Sequence, residues 1–385
     1  IDRGPGSRQV VRLLMKLDKQ ADQAGGAVHM VLGNHEVMVM VGDLRYVSRE
    51  EFAAFAGEET GAQREELFAQ YRRYNPGGDE ATVRATFDEQ YPPGYAALRK
   101  AYSRQGTLGW WLSQQPFVIK VNDKVYTHGG IAKAPASNSL SALNTSLRKE
   151  LYAYLESMET LHEAGQLPLH VSYGERLPFL NARVEEFVAA NPGTRAPWFD
   201  AVQQVFEAQQ AFVFSEDSPN WHRGSSLCHP LSESWNTERF LKTVGARQLV
   251  VGHTPTGGDV HERMEGLVIR LDTGMLREVY KGRASALVSG DGPDYVHYLG
   301  NPQRAAPVAE VTSLSKKLSG MTDAELEDFM RTAPVTNVED IGTGVTKPKR
   351  VTQERDGVLN DSAFKYEDTH PGLETKSTWI STRFN

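Results

Sequence analysis

Asn34, His128 and His253 combine ligand chemistry with a common setting. Each stands just past an apolar run that reads as a strand, and each has glycine beside it: Gly33, then Gly129 and Gly130, then Gly252. Imidazole nitrogen and amide oxygen are good ligands for Mn, Fe or Zn, and glycine lets the backbone turn tightly behind a ligand. A single loop histidine is more often a surface or hydrogen-bonded residue. Three ligands at strand ends weigh differently, because the C-terminal edge of an open α/β sheet is where residues distant in sequence converge on ligands and metals. Together they read as half of a metal site.

The elements that must position them follow from spacing. Val10, Leu13, Leu14 and Leu17 recur at helical intervals, and residues 27–32 then read as a short buried strand ending at Gly33. A Glu-, Arg-, Ala- and Phe-rich stretch over residues 48–111 opens with Ser48 and Glu51 as a capping box and reads as a helical insertion. Residues 117–120 and 124–127 flank Asn122 and Asp123 as a hairpin whose second strand delivers His128. A second helical insertion covers about 140–214. An apolar strand from Gln248 then runs into Gly252 and His253, another at 267–271 stops at Asp272, Thr273 and Gly274, and strand-like runs continue through Tyr298. Past Pro302 the composition changes, with a small helix capped at Thr322 by Glu325, so residues 1–300 read as one domain and 301–385 as an extension.

Asp2-Arg3-Gly4, Gly33-Asn34-His35-Glu36, His128-Gly129-Gly130 and Gly252-His253 occur in the order of the motifs of the phosphoprotein phosphatase family, within the calcineurin-like metallophosphoesterases, which the chain therefore resembles. The match spans roughly the first three quarters of the chain. More narrowly, the run from Gly33 to Val47, GNHEVMVMVGDLRYV, is similar to the bacterial Shewanella-like branch. The resemblance implies a four-layer α/β/β/α sandwich, with the helical insertions and a C-terminal α+β extension added. It also implies two divalent metal ions, with Asn34, His128 and His253 holding the second. His35 would protonate the leaving oxygen, Asp2 would orient and charge-tune His35, and Arg3 would clamp phosphate oxygens bidentately. Arg223, in the stretch Ser218-Pro219-Asn220-Trp221-His222-Arg223-Gly224, is the candidate for a second clamping arginine. Attack on phosphorus would come from a metal-bridging hydroxide, with no phosphoenzyme. The family's Asp-x-His motif and a further aspartate would precede Ile1, so the first-metal ligands are absent from this chain. The expectation is a truncated sequence of weak activity, a degenerate protein being the alternative.

Bulk properties narrow the function. The chain of 385 residues is long enough for two or more cores, and a net charge of −7 disfavours nucleic acid as a partner. The single cysteine, Cys228, forms no internal disulfide and has no phosphate-binding loop around it, which argues against cysteine-based phosphatase chemistry and for a buried structural residue. No apolar run is long enough to span a bilayer. The leading expectation is a phosphomonoesterase acting on phosphorylated protein or peptide. A dinucleoside polyphosphate hydrolase and a non-catalytic phosphate-binding scaffold are the alternatives.

Several residues carry two readings. Asp272 is either a carboxylate at the site or a cap on the turn at Gly274. Tyr91, Tyr95, Tyr102, Trp110 and Trp111 read as the packing face of the first insertion ahead of a substrate groove, and Glu58 and Glu59 as a solvated helix face. Toward the C-terminus, Gly342, Gly344, an Asp356-Gly357 turn and a strand-borne Lys365 resemble the start of a kinase-like nucleotide lobe, plain β structure being the commoner reading.

Overall fold

The computed structural model describes residues 1–132, 139–290, 293–300 and 328, together with strand backbone at 304–305, 335–340, 346–355, 358–367 and 377–379. It is a mixed α/β protein of two compact units, the first comprising residues 1–116 and 145–214, the second 117–144 and 215–385.

The first unit is helical: α1 (Ser7–Gln23), α2 (Asn34–Val41), α3 (Arg49–Ala53), α4 (Gly61–Tyr74), α5 (Glu80–Gln90), α6 (Tyr95–Tyr102), α7 (Thr107–Ser113), most of α8 (Leu140–Glu163), α9 (Arg176–Ala190) and α10 (Phe199–Ala208). Local signals start many of these helices. Thr60 Oγ1 accepts from Gln63 N–H while Gln63 Oε1 accepts from Thr60 N–H, closing a capping box on α4, and Asp79 caps α5 through Thr82 N–H at 3.0 Å. Ser48 caps α3 at 3.1 Å from Glu51 N–H, but the Glu51 carboxylate turns to Ser7 N–H instead of completing the box.

Helix α2 is apolar around its circumference and buried along its length, His35 being its only residue that is not buried. It ends at Gly42, whose left-handed φ of 75° forms the C-cap. Its last carbonyls are met by a side chain: Arg176, 1% exposed, donates from Nη1 to Val41 O at 2.6 Å and to Tyr154 Oη at 2.9 Å, and from Nη2 to Gly42 O at 3.1 Å.

The second unit carries a five-stranded mixed sheet ordered β1-β2-β3-β5-β4, from β1 (Val118–Val121), β2 (Lys124–Thr127), β3 (Gln248–Val251), β4 (His261–Arg263) and β5 (Val268–Arg270). The outer pairs β1–β2 and β4–β5 are antiparallel, whereas β2–β3 and β3–β5 are parallel. Helices α11 (Gly224–Leu227) and α12 (Pro230–Val244) precede β3. A three-stranded antiparallel sheet of β6 (Ser285–Val288), β7 (Tyr295–Tyr298) and β8 (Arg304–Ala305) follows, then a four-stranded one of β9 (Val335–Asp340), β10 (Thr346–Arg355), β11 (Val358–Glu367) and β12 (Ser377–Trp379). In the last sheet Arg355 pairs with Val358, the register of a two-residue hairpin at the expected place. Gly342, Gly344, the Asp356-Gly357 turn and the helix expected at Thr322 lie outside the described residues.

Two expectations are corrected, the strand at 27–32 and the solvated Glu59. Residues 27–32 form no strand: only Leu32 is buried, and its N–H meets the single carbonyl of Pro116 at 2.8 Å, which is no ladder. The helix expected from the spacing of Val10, Leu13, Leu14 and Leu17 is α1, with Val10 50% and Leu13 53% exposed and Val11 buried. Glu59 is not solvated; its two oxygens accept from Gly94 N–H at 3.0 Å and Ala96 N–H at 2.7 Å and cap α6. Tyr95, Tyr102 and Trp111 are packing residues, and half-buried Tyr91 packs edge-on against Tyr95, whereas Trp110 is exposed.

Two stability measurements follow. Arg176→Met leaves the buried carbonyls of Val41 and Gly42 without their donor and is expected to cost about 2–4 kcal/mol, read as a lowered urea midpoint at unchanged slope. Glu51 is buried, and burial, opposed by the Ser7 hydrogen bonds, raises its carboxyl above the ordinary glutamate value of 4.5. A raised folded value means the native protein holds the proton longer than the unfolded chain, so this stabilising contribution fades as pH rises from 4.5 through the folded value. Glu51→Gln should therefore gain in urea stability relative to the parent between about pH 4 and pH 7.

Candidate active site

In the first unit the chain gathers Asp2, Arg3 and His35. Asp2 takes a left-handed φ of 83°, an uncommon conformation for a residue with a Cβ, and its backbone is pinned on both sides. Its N–H donates to Ser7 Oγ at 2.8 Å, and its carbonyl accepts from Ser48 N–H at 3.0 Å. The carboxylate this presents is 1% exposed and holds both oxygens close to His35 Nδ1, at 2.9 and 2.8 Å. With Nδ1–H donating, Nε2 is the nitrogen left to face a reactant, and the 17% exposed His35 side chain gives it access to one.

Arg3 Nη2 lies 3.5 Å from His35 Nε2. Tyr46 packs against both, with its ring centroid 5.1 Å from that of His35 and 4.8 Å from the Arg3 guanidinium carbon. Tyr46 thus touches the cation and the imidazole together, a contact that residue type alone did not disclose, although the residue stands in the Leu44-Arg45-Tyr46-Val47 run that carries the resemblance. Asn34 opens α2, N-capped by Gly33, and so stands at a helix N-terminus and not at a strand end as expected. A helix N-terminus keeps what a strand edge would have offered, a polar side chain beside outward-facing N–H groups.

In the second unit His128 and His253 are brought together by strand register. Thr127 pairs with Val251 in the parallel β2–β3 ladder, so the residues beyond the two strands leave the sheet at the same edge. His128 Nε2 lies 3.1 Å from His253 Nδ1, with ring planes at 61°. Two nitrogens bound at about 2.0–2.1 Å to one small cation are about 3 Å apart, so this pair has the spacing of neighbouring metal ligands. His253 adopts φ of 62°, and Thr254 N–H turns back to Gly252 O at 2.6 Å. Among the described residues no group of three or more His, Cys, Asp or Glu is placed to hold a metal, so a cation here requires an amide or water ligand besides the two imidazoles.

The loop from Ser218 to Gly224 closes over this edge. Pro219 O accepts from Gly129 N–H at 2.7 Å and from Thr127 Oγ1 at 2.9 Å, and Trp221 sets its ring edge-on to His253 at 6.0 Å. Arg223 is exposed, and its Nη1 donates to His253 O at 2.9 Å and Thr254 Oγ1 at 3.1 Å, which places a guanidinium beside the histidine pair. Asp272 caps its own turn, with Oδ1 accepting from Gly274 N–H at 3.0 Å, the structural reading of that residue. Cys228 is buried, and burial pushes its thiol up, away from the thiolate a nucleophile needs.

The glycine after His128 is a packing requirement. A Cβ at Gly129 would stand 2.7 Å from His222 N and 2.9 Å from Pro219 O, both rigid backbone. Gly129→Ala should therefore destabilise the fold by roughly 1–3 kcal/mol and loosen the 218–224 loop, measured as a lower thermal midpoint with faster proteolysis in that loop.

No family model matches the chain. It is 26% identical over 301 residues to an uncharacterized protein of Schizosaccharomyces pombe, covering 77% of this chain and 65% of that one. It is 25% identical over 166 residues to Shewanella-like protein phosphatase 2 of Arabidopsis thaliana, covering 38% of this chain and 39% of that one. The chain thus spans less than two thirds of the length of either relative. Among solved structures, the cold-active protein tyrosine phosphatase of a psychrophilic Shewanella species aligns with a TM-score of 0.43 and 22% identity over 79% of this chain and 66% of its own. The similarity in sequence is thus to proteins that include a protein phosphatase.

Proposed function

We propose that this protein is a metal-dependent phosphomonoesterase that acts on phosphorylated protein, built on the four-layer α/β/β/α plan of the calcineurin-like enzymes. The observation that carries the reading is the Asp2–His35 pair, a buried carboxylate fixing Nδ1 of an imidazole whose other nitrogen is open to a reactant. Similarity in sequence to a Shewanella-like protein phosphatase supports the substrate class.

In this reading Asn34, His128 and His253 hold a divalent cation, Mn, Fe or Zn. Such cations supply a nucleophilic water and neutralise charge on the phosphoryl oxygens. His35 Nε2 carries the proton and gives it to the departing alkoxide or phenoxide, so the leaving group departs neutral. Asp2 keeps that proton on the correct nitrogen by holding the other, and it stabilises the imidazolium before transfer. Arg3 and Arg223 offer planar donors to the phosphoryl oxygens, for which guanidinium geometry is suited. Tyr46 keeps the Arg3 head from swinging away.

The test exploits leaving-group chemistry. With Mn present, His35→Ala should lower kcat on phenyl phosphate by about 10²–10⁴-fold, but by much less on p-nitrophenyl phosphate, whose leaving group departs without a proton. Equal losses on the two substrates would remove His35 from the acid role. Arg3→Ala is expected to raise KM for both by about tenfold, the worth of one charge-assisted contact. Parallel assays on phosphotyrosine and phosphoserine peptides and on diadenosine tetraphosphate decide the substrate class, and a preference for the last would replace phosphoprotein in the proposal.

A further inference from the structure

Trp221 and Arg223 both contact His253, so His222 is joined on either side to a residue at the histidine pair. His222 itself is buried, and its Nε2 lies 3.5 Å from Oε2 of Glu233, a buried residue of α12. Among the described residues neither atom has a hydrogen-bond partner, and their own separation is too long for a good one.

A pair of this kind is a poor stabiliser. Taking a carboxylate and an imidazole out of water costs free energy that an ill-formed contact does not return, and two apolar side chains of similar volume would hold the fold as well. Buried polar groups left in this state call for an explanation in what they do.

The surroundings supply one. Gly224 packs on both members, since a Cβ there would stand 2.5 Å from His222 Nε2 and 2.6 Å from Glu233 Oε1. Gly130, in the loop that carries His128, lies against the same ring, and a Cβ there would meet His222 Cδ2 at 3.0 Å. The backbone on either side is held independently. His222 N–H donates to Ser218 O at 2.8 Å, and Arg263 of β4 donates from Nη1 to Ser225 O at 3.1 Å and from Nη2 to Cys228 O. Between these two anchors the His222 ring sets where the chain passes from Trp221 to Arg223. A carboxylate at this place favours a proton on Nε2 and holds that edge of the ring toward α12, which an apolar filler would not do.

We propose that Glu233 and His222 are positioning residues for Arg223: the carboxylate holds the imidazole in one orientation, and the imidazole seats the backbone from which the guanidinium reaches a phosphoryl oxygen. This rests on the phosphomonoesterase reading of the same site, in which Arg223 is part of the clamp. The test is a double-mutant cycle on the full chain with Mn present, read as KM for phenyl phosphate and, without turnover, as the calorimetric Kd of inorganic phosphate. Glu233→Gln keeps the volume and removes the charge, and it should raise both constants by about three- to tenfold with kcat within about twofold of the parent. In an Arg223→Ala background the same substitution should change neither constant by more than about 1.5-fold, because the group it positions is gone. A merely structural role would give the same loss in both backgrounds. His222→Gln is read by the same criterion, with circular dichroism showing which variants are folded. The proposal is overturned by equal losses in the two backgrounds, by parental constants in folded Glu233→Gln, by a loss confined to kcat, or by loss of fold in both variants. A parent chain that neither binds phosphate nor cleaves phenyl phosphate would overturn the phosphomonoesterase reading as well, whereas a working parent with any of those results overturns this inference alone.

Discussion

The first unit depends on the burial of α2. Val37 to Val41 put apolar side chains on every face of the helix and hold it in the interior, and a buried helix must find partners for the polar groups at both ends. At its N-terminus Glu36 accepts from Gly33 N–H at 2.9 Å, and at its C-terminus Arg176 takes the carbonyls. Once fixed, the helix offers the outside only His35. The histidine can thus meet Asp2 in a single orientation, and the strain accepted at Asp2 is held by Ser7 and Ser48. The same helix brings Met40 and Val41 to a pocket that α4, α6 and α8 also line, so one packed element carries a partly exposed imidazole at one end and apolar packing at the other.

In the second unit the corresponding constraint is the parallel ladder between β2 and β3. Parallel pairing makes both chains leave the sheet in the same direction, and the Thr127–Val251 register brings residues 125 positions apart to within hydrogen-bond distance. Gly129, directly after His128, is then set by the 218–224 loop, whose backbone occupies the space a side chain would need. Trp221 and Arg223 reach His253 from that loop, so the loop packs directly on the histidine pair.

Much of this was legible from residue order. The hairpin at Asn122 and Asp123, the apolar strand before His253, the two helical stretches and the packing role of Tyr95 and Tyr102 follow from periodicity and turn chemistry, because those signals act within a few residues. The failures have a common cause. Residues 27–32 have a strand's composition, but a strand exists only where another supplies a ladder. Glu59 reads as solvated because its acceptors are met by N–H groups more than thirty positions away.

By itself the sequence determined the chemical types and their order: an Asp-Arg pair, an Asn-His pair and two further histidines, each with glycine at hand. Only the tertiary structure decided which atoms meet. It set both oxygens of Asp2 on Nδ1 of His35, placed Tyr46 against Arg3 and His35, assigned Asp272 to its own turn, and turned Arg176 onto the last carbonyls of α2. The physical reason is that helix periods, caps and turns are short-range, whereas desolvation and pairing of polar groups depend on every segment that packs around them.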